Sequence, residues 1–372
     1  MERPEYVVQA EVARLIPVVA DTNREQRAAS IFLAALRGVY EFRQVMFASL
    51  GHRVSARARM GAWTEVALEC DLDIPKKDRP DGLVQLVTGS KQWAALIEAK
   101  IGSNEVGEEQ LKRYLLQAKK NKIDAVITIT NQFVALPNHH PVKIPKTLLK
   151  GVELYHWSWM YAVTQATLLL DSGDITSPDQ RFILEEVLRY FSHDSSGATR
   201  FDSMNREWKE VVAKVKSGAV LSKSTEEVEN TVSSWHQEQR DLCLVMSRKL
   251  GRQIKQKISK SHRNDPVQRL KDDCELLAKE HKLTCCLTIP DAAADLDEGT
   301  RFPFCTGEGL ADLCKRAGVA DPEIETIEIA TEFADFEAFW HPFTLGAGPA
   351  PGYCRSLPED RRDQLKKMLK TN

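Results

Sequence analysis

The sequence lacks the patterns that mark membrane-spanning, secreted and zinc-binding proteins. Its eight cysteines include no C-x-x-C pair, which argues against both a zinc knuckle and a disulfide framework. No stretch approaches the ~18 consecutive apolar residues of a membrane span, and the N-terminus has no basic segment followed by an apolar stretch. We therefore expect a soluble cytoplasmic protein with reduced thiols and no membrane partner.

An excess of positive charge is also missing, because the formal net charge is −2. A uniformly basic surface for nucleic acid is therefore excluded, and such contact has to come from local patches. A basic run without any acidic residue contains Arg248, Lys249, Arg252, Lys255, Lys257, Lys260 and Arg263. This run could follow a phosphate backbone with salt-dependent affinity, or it could be the solvated face of a helix.

The composition is that of a globular protein long enough for more than one domain. Hydrophobic residues make up 42% and charged residues 28% of the 372 positions, and a prior of ~150 residues per domain gives two or three domains. Changes in character along the chain predict an α/β domain over residues 1–150, a mainly helical region over residues 151–282 and a small α+β segment over residues 283–372.

Hydrophobic periodicity predicts a mixed sheet with flanking helices in the first domain. The predicted elements are, in order, a helix over residues 23–49, strands over 63–70, 82–87 and 93–101, a helix over 105–120 and a strand over 125–130. Because a strand, a crossover helix and a parallel strand form one right-handed unit, residues 93–130 are interpreted as a βαβ unit. Beyond it, helices are predicted over 157–170, 178–193, 203–215 and 226–258, followed by a strand over 283–289.

Two acids and an amine form the most informative constellation. Asp81 precedes one predicted strand, and Glu98 and Lys100 lie on the next strand, seventeen residues further on. Side chains on a strand alternate between faces, so Glu98 and Lys100 point the same way. Two carboxylates on one face suit a hard divalent cation such as Mg²⁺, beside a lysine that orients or helps to deprotonate a metal-bound water.

A simpler interpretation makes Glu98 and Lys100 an exposed ion pair and Asp81 part of a turn. The apolar neighbours Leu96, Ile97, Ala99 and Ile101 argue against it, because they predict a buried strand in which unpaired charges are costly.

The strings Pro80-Asp81 and Glu98-Ala99-Lys100 resemble the PD-(D/E)XK nuclease superfamily, over about residues 22–133. The resemblance implies a restriction-endonuclease-like core, Mg²⁺ or Mn²⁺ as cofactor, and hydrolysis of phosphodiester bonds of nucleic acid, with DNA as the expected substrate. It also implies that Asp81 and Glu98 are metal ligands and that Lys100 is the catalytic lysine.

The resemblance extends to residues on the neighbouring helices. Members often carry a further acidic residue on a preceding helix, and Glu25 ranks slightly ahead of Glu65 for this role as a metal ligand. Many relatives also have a Gln and a Tyr on the helix after the lysine strand, which Gln110 and Tyr114 match. The i, i+4 spacing of this pair places both on one helix face, within reach of a phosphate or the lysine.

The end of the chain carries a second resemblance. Residues 297–303, 310–318, 333–340, 342–343 and 346–351 resemble the C-terminal end of class I S-adenosylmethionine (SAM)-dependent methyltransferases. The glycine-rich turn that holds the cofactor in that family is missing upstream. We therefore interpret the tail as a methyltransferase-like remnant and expect neither SAM binding nor methyl transfer.

Three functions stay open from the sequence. A metal-dependent nuclease is the leading hypothesis, and a non-catalytic nucleic-acid-binding or scaffold protein with a nuclease-like fold is the alternative. A SAM-dependent methyltransferase ranks third. The sequence also leaves a homodimer open.

Overall fold

The computed structural model describes residues 1–20, 22–68, 79–290, 335–344, 354–355 and 357–370. The chain divides into two compact units, Met1–Pro290 and Asp291–Asn372. None of the helices in the described ranges meets the length and apolarity required to cross a membrane. Most of the methyltransferase-like segments, namely residues 297–303, 310–318, 333–334 and 346–351, lie outside the described residues, as do predicted strand residues 69–70.

The first unit is built on a six-stranded mixed sheet, which confirms the predicted α/β class. Its strands are β1 (Val7–Val12), β2 (Arg59–Leu68), β3 (Gly82–Thr88), β4 (Lys91–Ala99), β5 (Ala125–Thr130) and β6 (Glu153–Ser158). They are arranged in sequence order, with antiparallel pairing from β1 to β4 and parallel pairing from β4 to β6. Strands β1 and β6 extend the sheet beyond the four predicted strands.

Helices cover both faces of this sheet. One face packs against α1 (Arg24–Gly38), α2 (Tyr40–Ala48), α4 (Trp159–Ser172) and α5 (Pro178–Phe191), and the other packs against α3 (Glu108–Lys120). Leu96 and Ile97 enter opposite apolar clusters, as expected for successive strand residues. Because both faces are buried, the central strands are nearly continuous apolar runs rather than alternating ones.

The predicted helix over residues 23–49 is wrong in one respect, because it is two helices separated at Val39. This residue is extended, with φ −111° and ψ 109°, and its N–H donates to the carbonyl of Ala35 to end α1. Its side chain is fully buried. The helix therefore breaks at a β-branched residue, which has a lower helix propensity, and the side chain of this residue packs in the core.

The remaining elements of the first unit are mainly helical. They are α6 (Glu207–Lys216), α7 (Glu226–Leu250), β7 (Lys255–Gln256), α8 (Lys260–Asn264), α9 (Pro266–Glu280) and β8 (Leu287–Thr288). Helices α6, α7 and α9 share a small apolar cluster that includes Val211, Val232 and Leu277, and β7 pairs with β8. In the second unit, the structure describes helices over Phe336–Thr344 and Glu359–Lys370.

The predicted helix over residues 226–258 ends early, at Leu250. Gly251 follows in the left-handed conformation with φ 61°, which glycine adopts without steric cost and which commonly terminates helices. The basic run is therefore not one helix face: it passes from the end of α7 through β7 to α8.

Candidate active site

The hairpin formed by β3 and β4 places Asp81 beside Glu98. Gly82 is paired with Ile97, so continuing the antiparallel register by one residue sets Asp81 opposite Glu98. The Ala99 N–H donates to Asp81 Oδ2 at 2.8 Å, which fixes the aspartate at the end of the hairpin. The Lys100 N–H donates to the carbonyl of Ile129 at 2.9 Å. The structure thus brings the predicted acids and amine to one end of the sheet.

Gly82 is the first residue of β3, and it lies where a larger side chain would collide with its neighbours. A Cβ atom on this residue would lie 2.5 Å from Leu33 Cδ1 and 3.0 Å from the carbonyl oxygen of Trp63. Both distances are shorter than ordinary van der Waals contacts, so an added methyl group would force Leu33 of α1 and the backbone of β2 to shift. The position of Asp81 therefore depends on its small neighbour.

We expect Gly82→Ala to lower the free energy of unfolding by about 1–3 kcal/mol, because the added methyl group overpacks the junction. Urea denaturation of purified protein measures this change. Gly38→Ala is the matched control, since Gly38 belongs to α1, a Cβ there meets no atom within 4 Å and alanine has a high helix propensity. Equal stability of the two variants would contradict the role given to Gly82.

Lys100 is held by two carboxylates. Its Nζ atom lies 2.7 Å from Glu98 Oε1 and 3.3 Å from Glu25 Oε2, and Glu25 Oε1 accepts a hydrogen bond from Asn104 Nδ2 at 2.8 Å. Burial lowers the pKa of Lys100, but the nearby charges of Glu98 and Asp81 outweigh burial and raise that pKa above its usual value. Lys100 is therefore an ammonium at neutral pH.

Of the two acids of the hairpin, Glu98 is buried and Asp81 is half-buried. Burial raises the pKa of Asp81 well above its usual value, and repulsion by Glu98 adds to this effect. Burial likewise raises the pKa of Glu98, whereas Lys100 acts in the opposite direction. Ionising both groups is therefore costly unless further positive charge is present.

A divalent cation fits this arrangement of donors. Glu98 is only 1% exposed, and its Oε2 atom is buried without a hydrogen-bond partner, which leaves an oxygen ligand available. Among the described residues, no group of three or more histidine, cysteine, aspartate and glutamate side chains forms a ready-made metal site. Asp81 and Glu98 would therefore share a cation with water, as Mg²⁺ sites commonly do.

Gln110 and Tyr114 join the site through Glu98 and not through the lysine. Gln110 Nε2 donates to Glu98 Oε1 at 2.8 Å and to the Tyr114 hydroxyl at 2.9 Å. The Tyr114 hydroxyl lies 3.1 Å from the carbonyl of Arg79, to which it donates. Burial raises the pKa of Tyr114, so the phenol stays protonated. The contacts make Gln110 and Tyr114 supports for the Glu98 carboxylate.

The two competing acids, Glu25 and Glu65, both line the cleft, which has a volume of about 760 Å³. Glu25 contacts Lys100, whereas Glu65 accepts a hydrogen bond from the side-chain amide of Gln26. Glu65 is in the left-handed region with φ 51°, where the β1–β2 register shifts. Such bulges redirect side chains next to active sites.

The cleft lining also contains polar residues that sequence reasoning did not name as site residues, among them Arg24, Arg79 and Asn104. Arg24 begins α1 immediately before Glu25, and its Nη2 atom donates to the carbonyl of Ser195 at 2.5 Å. Arg79 directly precedes the Pro80-Asp81 string. Adjacency to predicted site residues was the signal that could have found both arginines.

The basic run separates into one inward residue and six exposed ones. Arg248 is half-buried and donates to Thr164 Oγ1. The exposed members are Lys249, Arg252, Lys255, Lys257, Lys260 and Arg263. Nucleic-acid binding by this run stays a prediction, carried by the six exposed side chains.

Comparison with known proteins does not assign a function to the cleft, so any assignment has to come from the side chains that line it. The cleft contains one buried and one half-buried carboxylate, a lysine held between acids, and a glutamine–tyrosine pair that supports Glu98. Family models, curated proteins and solved structures were each compared with the chain, and none matched it.

Proposed function

We propose that this chain is a divalent-metal-dependent nuclease that hydrolyses phosphodiester bonds of nucleic acid, with DNA as the expected substrate. The observation that carries the proposal is the meeting of Asp81, Glu98 and Lys100 in one cleft, with Glu98 Oε2 buried and unpaired. The same three residues carry the resemblance to PD-(D/E)XK nucleases.

Asp81 and Glu98 would hold Mg²⁺ or Mn²⁺, which supplies a water of lowered pKa and positive charge for the transition state. Lys100 is kept protonated by the neighbouring carboxylates. We therefore expect its ammonium to donate a hydrogen bond to a phosphate oxygen or to the attacking water, and not to remove a proton.

The surrounding side chains would position these groups. Glu25, itself bound by Asn104, holds Lys100 from one side, and Gln110 holds Glu98 from the other. Arg24 and Arg79 add positive charge to the wall of the cleft. A strand whose phosphate lies against Lys100 would have neighbouring phosphates near this wall of the cleft.

Cleavage assays test the proposal directly. Purified protein should cut plasmid DNA, single-stranded DNA or RNA with Mg²⁺ or Mn²⁺ present, and a chelator should stop the reaction. The substrate series also separates DNA from RNA as the preferred substrate. Absence of metal-dependent cleavage of every substrate would count against the nuclease.

A non-catalytic nucleic-acid-binding protein is the second candidate, and the six exposed side chains of the basic run favour it. The two candidates differ in how binding and cleavage respond to Lys100→Ala. Salt-sensitive binding without cleavage, unchanged by this substitution, would favour the binding protein. Loss of an existing cleavage activity would favour the nuclease.

Both candidates predict that the exposed basic residues contact phosphates. We expect Lys255→Gln, Lys257→Gln and Lys260→Gln together to reduce the slope of log affinity against log salt by up to about 3, or about 1 per lost phosphate contact. Fluorescence anisotropy with labelled DNA at several salt concentrations measures the slope. Lys120, Lys122 and Lys150, changed together to glutamine, form a charge-matched control. An equal effect in both triple variants would contradict a specific path along the basic run.

A further inference from the structure

A second cavity lies between α4, α5 and α7 and shares no lining residue with the candidate active site. Its volume is about 390 Å³, which is within the usual range for small-molecule sites. The apolar part of its lining consists of Met160, Val163, Leu188, Phe191 and Ala198. Arg200 and Arg248 supply its positive charge. An apolar floor beside two guanidinium groups suits an organic anion.

Arg248 is held in this cavity at an electrostatic cost. Burial lowers the pKa of Arg248, and repulsion from Arg200 lowers it further. Attraction to Asp241 raises this pKa by less than Arg200 lowers it. The hydrogen bond from Arg248 to the Thr164 hydroxyl fixes the side chain on the inner side of α7. Two like charges are thus kept together at one wall of a cavity, where an anion would relieve their repulsion.

Asp241 does not balance these charges fully. It is 6% exposed, and its Oδ1 atom is buried without a hydrogen-bond partner. Burial raises the pKa of Asp241 to about 6. A second carboxylate, Asp194, lines the cavity from an exposed position, where solvent screens its charge. The two guanidinium groups and the one buried carboxylate together leave one positive charge at the cavity.

We propose that this cavity binds the phosphate of a mononucleotide between Arg200 and Arg248, with the apolar side of the nucleotide against Phe191. Guanidinium groups match the oxygens of a phosphate and form charge-assisted hydrogen bonds with them. The nucleotide has two sources, a free mononucleotide or the terminal nucleotide of a strand. The proposal does not rest on nuclease activity.

Two sets of contacts connect the cavity to the candidate active site. The Phe191 ring stacks on Trp159 with centroids 4.8 Å apart, and Trp159 Nε1 donates to the carbonyl of Lys100 at 2.7 Å. The segment that contributes Asp194, Ala198 and Arg200 also contains Gly197, whose carbonyl accepts from Gly102 N–H at 2.9 Å. Ligand binding should therefore change the environment of Trp159, which makes its fluorescence a second readout.

Calorimetric titration of the full chain tests the site with adenosine monophosphate, adenosine and a short 5′-phosphorylated single strand. Adenosine monophosphate should bind more tightly than adenosine. Arg200→Met and Arg248→Met should each weaken its binding about tenfold or more, because each removes hydrogen bonds to a charged group. Arg189→Met, on the exposed side of α5 and outside the cavity lining, is the charge-matched control and should bind like wild type. Asp194→Asn should bind more tightly.

Each outcome supports or overturns the proposal. Binding of the free nucleotide but not the strand supports the site and identifies a free mononucleotide as the ligand. Binding of the strand alone supports the site and identifies a strand terminus as the ligand. No binding of any phosphate-bearing probe at millimolar concentration overturns it, as does equal weakening in Arg200→Met and Arg189→Met. Because Arg200 is exposed, Arg200→Met keeps the test decisive if Arg248→Met fails to fold.

Discussion

Asp81→Asn should abolish cleavage, with a loss of about 10³-fold, and at the same time make the metal-free protein more stable. Asparagine keeps an oxygen that can accept the hydrogen bond from Ala99 N–H, so the end of the hairpin is preserved. It removes a negative charge that a bound cation needs, and losses of this size are typical when one electrostatic group of an active site is removed.

The gain in stability follows from the raised pKa of Asp81, because an ionised carboxylate in that position opposes folding. We expect the free energy of unfolding in chelator to rise by about 1 kcal/mol, as in other cases where a strained site is relaxed at the expense of activity. Urea denaturation and plasmid cleavage measure the two effects. Asp179→Asn, at an exposed helix N-terminus, is the control. Full activity of Asp81→Asn would contradict the role of this residue.

The stability difference between Asp81→Asn and wild type should grow with pH. The folded-state pKa of Asp81 lies above its unfolded value. Stability from the protonated group is therefore fully present below the unfolded pKa and is lost as the pH rises through the folded pKa. Melting temperatures in chelator should converge near pH 4 and separate toward pH 8.

The melting temperature of Asp81→Asn has to be compared with that of wild type, because other groups titrate over the same pH range. Burial lowers the pKa of His156 to about 4, which gives the opposite pH dependence, and raises the pKa of Asp241 to about 6, which gives the same one. Both contributions cancel in the comparison. Mg²⁺ should shrink or reverse the difference, because it stabilises only a folded protein that retains its ligands. A difference independent of both pH and Mg²⁺ would argue against a half-buried, ionised Asp81.

The grouping of the candidate site residues could be predicted because it depends on local geometry. Strand alternation places Glu98 and Lys100 on one face, and the two-residue connection between β3 and β4 sets the register that brings Asp81 beside them. Helical spacing likewise places Gln110 and Tyr114 together. These relationships need only the period of each element and the length of one turn.

Features that depend on distant packing were not accessible in the same way. Strand β1 has an irregular burial pattern and two register shifts, so it lacks the alternation by which strands are recognised. Strand β6 runs directly into α4 at Trp159. The helix predicted over residues 157–170 includes the last two residues of this strand, and no strand was predicted before it. The inward direction of Arg248 depends on Thr164, a contact between helices far apart in sequence.

Titration of the metal-free protein with Mn²⁺, followed by electron paramagnetic resonance of the free ion, tests the central claim most directly. Wild type should bind Mn²⁺ at the cleft, and Glu98→Gln should lose that binding while remaining folded. Glu109→Gln, on the exposed side of α3, should bind like wild type. Wild type that binds no Mn²⁺, or Glu98→Gln that binds it unchanged, would contradict a cation shared by Asp81 and Glu98.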